Sequence, residues 1–384
     1  MNSYTARKLL SATLLAAGLC TLPSLAHTAP TSGGPSILQT GFTTNGRIAT
    51  LVPADGLPLT VLQSGPVIKA YKCADAECSS GTLSNLVPMT VSRIRLVIGS
   101  DGLPMIGLSI TNNGLRVLRC ANLACSGGVS MSILDGANLG ASTDHAVIVP
   151  PDGLPIFAYS DFNNGDLRVA RCHDSGCNSA EINTVDSLGT VGRAPAITLV
   201  AGLPQIAYGV NDNSLRLARC ADMACNRDTL FQTFPGAHPT DSAMLTGHNG
   251  AALIAYKNDV SGQDSLRLVQ CTDVQCSTPS MRILDTVEFG LGLGGGVQMV
   301  RGGDGLPVLS YFDQSFGTVK LLRCTRTDCA SSTITTVHAD SAAVLSTAAT
   351  TALAIGAEQT PFIAYALPAG QGLTLNLCNT RSCQ

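Results

Sequence analysis

The chain has 384 residues, of which 45% are hydrophobic and 13% are charged, with 23 lysines and arginines against 26 aspartates and glutamates. This hydrophobic share is enough to build a core and excludes a disordered chain. A net charge of −3 without a basic stripe argues against binding to nucleic acid and against a polybasic membrane surface.

The N-terminal region carries the pattern of a signal peptide. Two basic residues precede an apolar run over residues 9–22, which is too short to cross a bilayer. Ser24-Leu25-Ala26 follows as a small-x-small cleavage site, so we expect cleavage after Ala26. Cys20 follows a leucine, whereas a lipoprotein signal requires a small residue there. We therefore expect export to the periplasm or the exterior, without membrane insertion. The expected division is a signal peptide at 1–26, a linker at 27–35 and one domain at 36–384.

Fourteen of the 15 cysteines form seven Cys-x4-Cys pairs that recur every 47 to 54 residues. The pairs are Cys73/Cys78, Cys120/Cys125, Cys172/Cys177, Cys220/Cys225, Cys271/Cys276, Cys324/Cys329 and Cys378/Cys383. An even number of cysteines in an exported chain favours disulfides. The alternative, zinc, needs four ligands, but each repeat supplies two thiolates and no regularly placed histidine. We expect seven local disulfides, no metal and no cofactor.

Each repeat contains four short strand-like segments, which in the third unit are residues 145–150, 154–159, 167–172 and 179–185. Asp152-Gly153 joins the first two, and an Asp-Gly pair between apolar runs is a strong hairpin signal. Similar turns recur in most units, and proline follows at the start of the second segment in six of them. No stretch of the mature chain has a sustained helical period.

Seven repeats of four antiparallel strands predict an all-β fold, a seven-bladed β-propeller. The last repeat stops one residue after Cys383 and so lacks a fourth strand. The segment 36–43 belongs to no repeat. We predict that this N-terminal strand completes the seventh blade and covers its open edge.

The unit Asp-Gly-Leu-Pro…Tyr…Leu-Arg-Val-Ala-Arg-Cys-x4-Cys resembles the repeats of secreted bacterial propeller proteins, over about residues 36–384. The resemblance implies the fold and carries no activity. The Trp-Asp signature of WD40 blades and the Ser-x-Asp-x-Gly-x-Thr-Trp box of sialidases are both missing.

Residues that recur in most repeats indicate architecture. Tyrosines end the second strand and predict packing in or between blades: Tyr159, Tyr208, Tyr256, Tyr311 and Tyr365. Basic residues early in the third strand predict ion pairs or carbonyl contacts between blades: Arg116, Arg168, Arg216, Arg267 and Lys320.

Residues that differ between repeats indicate a site. The Asp-Gly turns and disulfide loops share one face of a propeller, so the variable second-to-third loops and the central mouth of the other face are the candidate surface. Eight residues before each Asp-Gly turn, the first strand enters the channel. These positions are Arg47, Arg93, Asp144, Arg193, Asp241, Gly296 and Thr350.

Three arginines and two aspartates around one mouth allow two interpretations. The charges can neutralise one another, or the arginines can bind a carboxylate or sulfate through their planar donor forks. His145, next to Asp144, is either a structural histidine or a group oriented by that carboxylate. The candidate ligand-binding residues are therefore Arg47, Arg93, Asp144, His145, Arg193 and Asp241.

The first functional hypothesis is a monomeric, exported binding module for a protein, a glycan or a small anion. The alternative is a lyase or hydrolase acting on an anionic polysaccharide. In that case Arg93 or Arg193 would neutralise a carboxylate while His145 or a tyrosine at the mouth accepts a proton. A purely structural or adhesive role is the third reading.

Overall fold

The computed structural model describes residues 36–40, 47–140, 143–259, 264–286, 296–339, 350–356, 358–366 and 372–383. The expected signal peptide (1–26) and linker (27–35) lie outside these residues. In the part of the chain so described, no helix is long and apolar enough to cross a membrane.

Seven antiparallel sheets form an all-β propeller, with four strands in each of the first six blades and three strands from the last repeat in the seventh. Blade 1 contains the strands Ile48–Leu51, Leu59–Ser64, Val67–Cys73 and Gly81–Val87. Blade 2 contains Val91–Ile98, Pro104–Ile110, Leu115–Cys120 and Val129–Asp135. Blade 3 contains His145–Ile148, Ile156–Asp161, Asp166–Cys172 and Ala180–Asp186. Blade 4 contains Arg193–Val200, Leu203–Val210, Ser214–Arg219 and Leu230–Pro235. Blade 5 contains Pro239–Thr246, Ala252–Asn258, Ser265–Gln270 and Ser280–Thr286. Blade 6 contains Gln298–Arg301, Pro307–Asp313, Thr318–Cys324 and Ser332–Ala339. Blade 7 contains Thr350–Ile355, Pro361–Ala366 and Leu373–Leu377, and the separate strand Ser36–Thr40 precedes blade 1.

The first strand of every blade lies at the centre of the ring. Each of these strands contacts the first strands of the two neighbouring blades, including the contact between blade 7 and blade 1. The ring is therefore closed around a central channel. In the third repeat, every strand end lies within two residues of its predicted position.

The buried apolar side chains of the described residues form seven clusters, and each cluster is shared by two neighbouring blades. Between blades 3 and 4, for example, Ile156 and Val169 face Ile206 and Tyr208. A single blade would leave these apolar side chains in water, so the blades stabilise one another rather than folding as independent units.

All seven Cys-x4-Cys pairs form the predicted disulfides. The bonds join Cys73 to Cys78, Cys120 to Cys125, Cys172 to Cys177, Cys220 to Cys225, Cys271 to Cys276, Cys324 to Cys329, and Cys378 to Cys383. Each bond lies within one repeat, as the spacing predicts, and none links two blades. Seven disulfides indicate an oxidising, extracytoplasmic location. Their role is structural, because all seven lie away from the residues that line the channel mouth.

The second cysteine of each pair has a backbone conformation that the sequence analysis did not anticipate. Its φ lies between 52° and 57°, in the left-handed region that non-glycine residues rarely adopt. Its N–H donates to the carbonyl oxygen three residues earlier, as from Cys177 to Asp174 at 3.1 Å. Each disulfide therefore fixes a tight turn. The residues in this conformation are Cys78, Cys125, Cys177, Cys225, Cys276, Cys329 and Cys383.

The Asp-Gly turns have the predicted backbone, and they make an ion pair that the sequence analysis did not anticipate. Glycine has a φ of 75° to 80° in all five Asp-Gly and Asn-Gly turns. In blade 1 the Asp55 carboxylate accepts a hydrogen bond at 2.8 Å from Lys72, which directly precedes the first cysteine. Each turn of this kind is thereby tied to the adjoining disulfide loop. The same pairing recurs for Asp101 with Arg119, Asp152 with Arg171, and Asp304 with Arg323.

Three of the recurring tyrosines form a repeated contact between blades. Tyr159 donates a hydrogen bond at 2.7 Å to Asp135 of the preceding blade, and Arg168 donates to the same carboxylate at 2.9 Å. Equivalent groups are Tyr208, Arg216 and Asp186, and Tyr311, Lys320 and Asp285. The prediction of inter-blade contacts is confirmed for these pairs. It is wrong for Arg116, whose guanidinium instead contacts Asn113 and the Asp135 carbonyl of its own blade.

Blade 4 contains a different first turn. Val200 lies opposite Leu203, so Ala201 and Gly202 form a two-residue turn, and both have positive φ (51° and 81°). A type I′ turn of this kind favours glycine or asparagine at both positions, because a Cβ crowds the backbone in the left-handed region.

We expect Ala201→Gly to raise the free energy of unfolding by about 1 kcal/mol, because it relieves this crowding. Ala54→Gly is the matched control: Ala54 is exposed in the first turn of blade 1 but lacks a positive φ. That control should lower stability, since glycine only adds freedom to the unfolded chain. Urea unfolding of both variants measures the change in the free energy of unfolding. A destabilised Ala201→Gly protein would contradict the assignment of Ala201 to a left-handed turn position.

Candidate functional site

Four of the six predicted ligand-binding residues line one cavity at the mouth of the channel. This upper cavity has a volume of about 590 Å³ and is lined by Arg47, Arg93, Asp144 and Arg193 from the innermost strands or the residues just before them. Phe162 and Asn211 from second-to-third loops also line it. The cavity therefore opens on the variable face, as predicted.

Arg93 and Asp144 form a bidentate ion pair across blades 2 and 3. The Arg93 Nε and Nη2 atoms donate to the two carboxylate oxygens at 2.7 and 2.6 Å. Burial alone would raise the pKa of Asp144, but the charges of Arg93 and Arg95 outweigh it and hold that pKa below its usual range. Burial likewise opposes the charge on Arg93, yet Asp144 and Asp241 raise the pKa of Arg93 above its ordinary value. Arg93 and Asp144 therefore neutralise each other's charge.

Asp241 lies behind the wall of the upper cavity and does not line it. Its buried carboxylate accepts N–H groups from Gly296 at 2.6 Å, Val297 at 3.1 Å and Ser242 at 3.0 Å. One oxygen lies 4.0 Å from Nη2 of Arg93. Asp241 therefore anchors the backbone at the start of blade 6 while adding negative charge beside Arg93.

The structure does not bring His145 to the cavity. Its side chain has no solvent exposure, and Nδ1 lies 2.7 Å from the Ser109 hydroxyl. The ring occupies space that exists because residue 107 is glycine, since a Cβ there would lie 2.5 Å from Nε2. Burial first, and then the charge of Arg95, lowers the pKa of His145 to about 3. The imidazole is consequently neutral and shielded from solvent.

Arg193 and Arg47 also reach the upper cavity. Arg193 Nη1 lies 3.2 Å from Nε2 of His238, and no carboxylate of the described residues lies within 4.0 Å of its guanidinium. Arg47 donates from Nε to the Ser92 carbonyl at 3.0 Å. Burial, and to a lesser extent the charge of Arg93, lowers the pKa of Arg47.

Arg95 is a channel residue that the sequence analysis missed. It follows Arg93 by two positions, so both side chains lie on the same face of the strand. Its Nε donates to the His145 carbonyl at 2.9 Å, and its Nη2 lies 3.8 Å from Asp144. Burial and the charge of Arg93 lower its pKa, although Asp144 and Asp241 oppose this. The Arg-x-Arg spacing is the sequence signal for this residue, since alternate positions of a strand share a face.

Hydroxyl groups complete the upper cavity. Five serine and threonine side chains lie among its lining residues: Ser92, Thr143, Ser160, Thr190 and Thr240. They supply neutral donors and acceptors beside the guanidinium groups. Across the described ranges, no three His, Cys, Asp or Glu side chains are grouped closely enough to hold a metal ion.

No protein-family model and no curated protein matches the sequence. Among solved structures, a streptogramin B lyase has a TM-score of 0.57 at 15% identity, covering 90% of this chain and 98% of its own. The polysaccharide lyase Uly1 has a TM-score of 0.52 at 8% identity, covering 87% and 89%. BBS1N, solved in complex with ARL6DN, has a TM-score of 0.52 at 10% identity, covering 92% and 96%. At these identities the likeness shows the propeller fold alone.

The buried histidine predicts a pH dependence of stability. Because its folded pKa of about 3 lies below the ordinary value, only the unfolded chain takes up a proton here as the pH falls below about 6.5. The neutral His145 ring therefore stabilises the folded state fully above pH 6.5, and this stabilisation is lost progressively as the pH falls from about 6.5 to about 3. At pH 5 we expect a loss of about 2 kcal/mol from this group. Urea unfolding at pH 7 and pH 5 measures it, and His145→Asn should reduce the loss. An NMR titration of the His145 ring centred near pH 6.5 would contradict the prediction.

Proposed function

We propose that this protein is a binding module whose upper cavity takes a small anionic group, a carboxylate or a sulfate, carried by a small molecule or a glycan. The observation that supports this function best is the composition of the cavity wall. Among the described residues, three guanidinium groups and one carboxylate face the same space, and that carboxylate is held by Arg93.

The charge balance favours an incoming anion. Arg93 is paired with Asp144, whereas no carboxylate of the described residues lies within 4.0 Å of Arg193, so the positive charge of Arg193 remains at the cavity wall. Arginine stays protonated at all physiological pH values, so this charge cannot be removed by loss of a proton. A bound carboxylate or sulfate would balance it by accepting hydrogen bonds from Arg193.

Size and rigidity favour a ligand as well. A volume of about 590 Å³ lies in the range of small-molecule pockets. The arginines lie on or beside the innermost strands, which are fixed on both sides by neighbouring blades. The donors are therefore held in place before a ligand arrives, which lowers the entropic cost of binding.

The alternative enzyme reading receives less support from the geometry. Its proposed proton acceptors were His145 and a tyrosine at the mouth. His145 is buried, and the tyrosine hydroxyls of blades 3, 4 and 6 are bonded to aspartates between blades. Among the described residues, Asp144 is the only carboxylate on the cavity wall, and its tight pairing with Arg93 makes it a weak base.

Two finer features of the chain belong to the same proposal. Residues 1–26 direct export, which agrees with the oxidising location that the disulfides indicate. The strand Ser36–Thr40 closes blade 7 as its fourth strand. Its antiparallel register along Leu373–Leu377, with Ser36 opposite Leu377 and Thr40 opposite Leu373, supports this closure.

Anion binding can be measured by calorimetry with sodium sulfate and sodium acetate. We expect Arg193→Gln to weaken sulfate binding at least tenfold, because it removes a charged donor at the cavity. Arg227→Gln is the matched control, since Arg227 is exposed beyond the disulfide loop of blade 4. Equal sulfate affinity in both variants, or no sulfate or acetate binding by the unmodified protein, would refute the proposal.

The strand closure predicts a difference between two truncations. A chain that begins at residue 41 lacks the proposed fourth strand of blade 7 and should unfold at a clearly lower temperature, since it exposes the edge of Leu373–Leu377. A chain that begins at residue 35 retains the strand and serves as the control. Identical melting temperatures for the two truncated chains would argue against closure by this segment.

A further inference from the structure

The channel continues below the upper cavity as two smaller spaces. A middle cavity of about 190 Å³ shares Arg47, Ser92 and Arg93 with the upper cavity. A lower cavity of about 180 Å³ shares Arg95 and Gln298 with the middle one. The shared residues place the three cavities in succession along a path from the variable face into the channel.

The chemistry of the wall changes along this path. Among the described residues that line the upper cavity, all except Phe162 and Ala194 are polar or charged. Among those that line the lower cavity, all except Arg95, Ser242 and Gln298 are apolar. The described wall is therefore cationic at the variable face and apolar further along the channel.

This change occurs along the innermost strands. In blade 2 the wall is formed successively by Arg93, Arg95 and Val97, and the distance from the first to the last is about 13 Å. In blade 4, Arg193 at the mouth is followed further down the channel by Ile197. Both strands thus have an arginine at the mouth and a branched apolar residue in the lower cavity.

We propose that the ligand is amphipathic: a carboxylate bound at the arginines of the mouth, with an unbranched alkyl chain that extends down the channel into the lower cavity. This inference rests on the proposed function and specifies its ligand class. Arg95 lines both the middle and the lower cavity, and its guanidinium is held by Asp144 and the His145 carbonyl. Met244 lines the lower cavity with a flexible side chain that adapts to an alkyl chain.

The test is a chain-length series measured by calorimetry at constant ionic strength: acetate, butanoate, hexanoate and octanoate. Each methylene group that enters the lower cavity should tighten binding by about fourfold. We expect octanoate to bind at least tenfold more tightly than acetate, with the gain levelling off when the chain fills the channel.

Two substitutions locate the alkyl chain. Met244→Gln and Val97→Thr keep side-chain size but make the lower cavity polar, so each should weaken octanoate binding several-fold and leave acetate binding unchanged. Met281→Gln is the matched control, because Met281 lies exposed on the outer strand of blade 5. Thermal unfolding of each variant establishes that the fold is retained, and Val97→Thr provides the result if Met244→Gln fails to fold.

The outcomes separate this inference from the proposed function. If acetate and octanoate bind equally, or if both lower-cavity variants bind octanoate like the Met281→Gln control, the amphipathic ligand is excluded while anion binding stands. If neither carboxylate nor sulfate binds, both proposals fail. A chain-length gain that the two lower-cavity variants abolish supports the proposed ligand class.

Discussion

The structure depends on apolar packing between neighbouring blades. Each core cluster of the described residues combines side chains from two neighbouring sheets. Because each blade covers the apolar face of the next, the free energy of burial is recovered in full only when the last blade meets the first. The local disulfides and turn ion pairs shape individual loops, whereas ring closure comes from this shared core.

The closed ring places seven innermost strands around one axis, and the channel acquires its properties from that arrangement. Arg93 and Asp144 are 51 residues apart, yet they meet because their blades are adjacent. Burial of such charges is costly unless each finds a partner, and this cost accounts for the bidentate geometry. Asp241 meets the same requirement through three backbone N–H groups. Arg193, with a histidine as its neighbour, retains the donor capacity that the proposed ligand uses.

Much of the candidate site could be predicted by comparing the repeats with one another. Counting back from the Asp-Gly turns identified four residues that share the upper cavity, because the turns fix the register of each hairpin. The same count does not predict which side chains face the channel where the strand is irregular. The innermost strands of blades 2, 4 and 5 contain register shifts near Arg93, Arg193 and Asp241. A bulge re-aims the side chains beside it, and no residue pattern in the repeats marks these bulges.

The sequence alone determined the number of blades, the hairpin turns and the seven disulfides, because all of these depend on residues close together in the chain. Only the tertiary structure decided which charges became partners and which side chains were removed from solvent. His145 is the clearest case: its neighbour Asp144 lines the cavity, while its own ring is buried against Ser109 and Gly107 of another blade. The physical reason is that pairing and desolvation depend on distances between blades, and those distances exist only after the ring has closed.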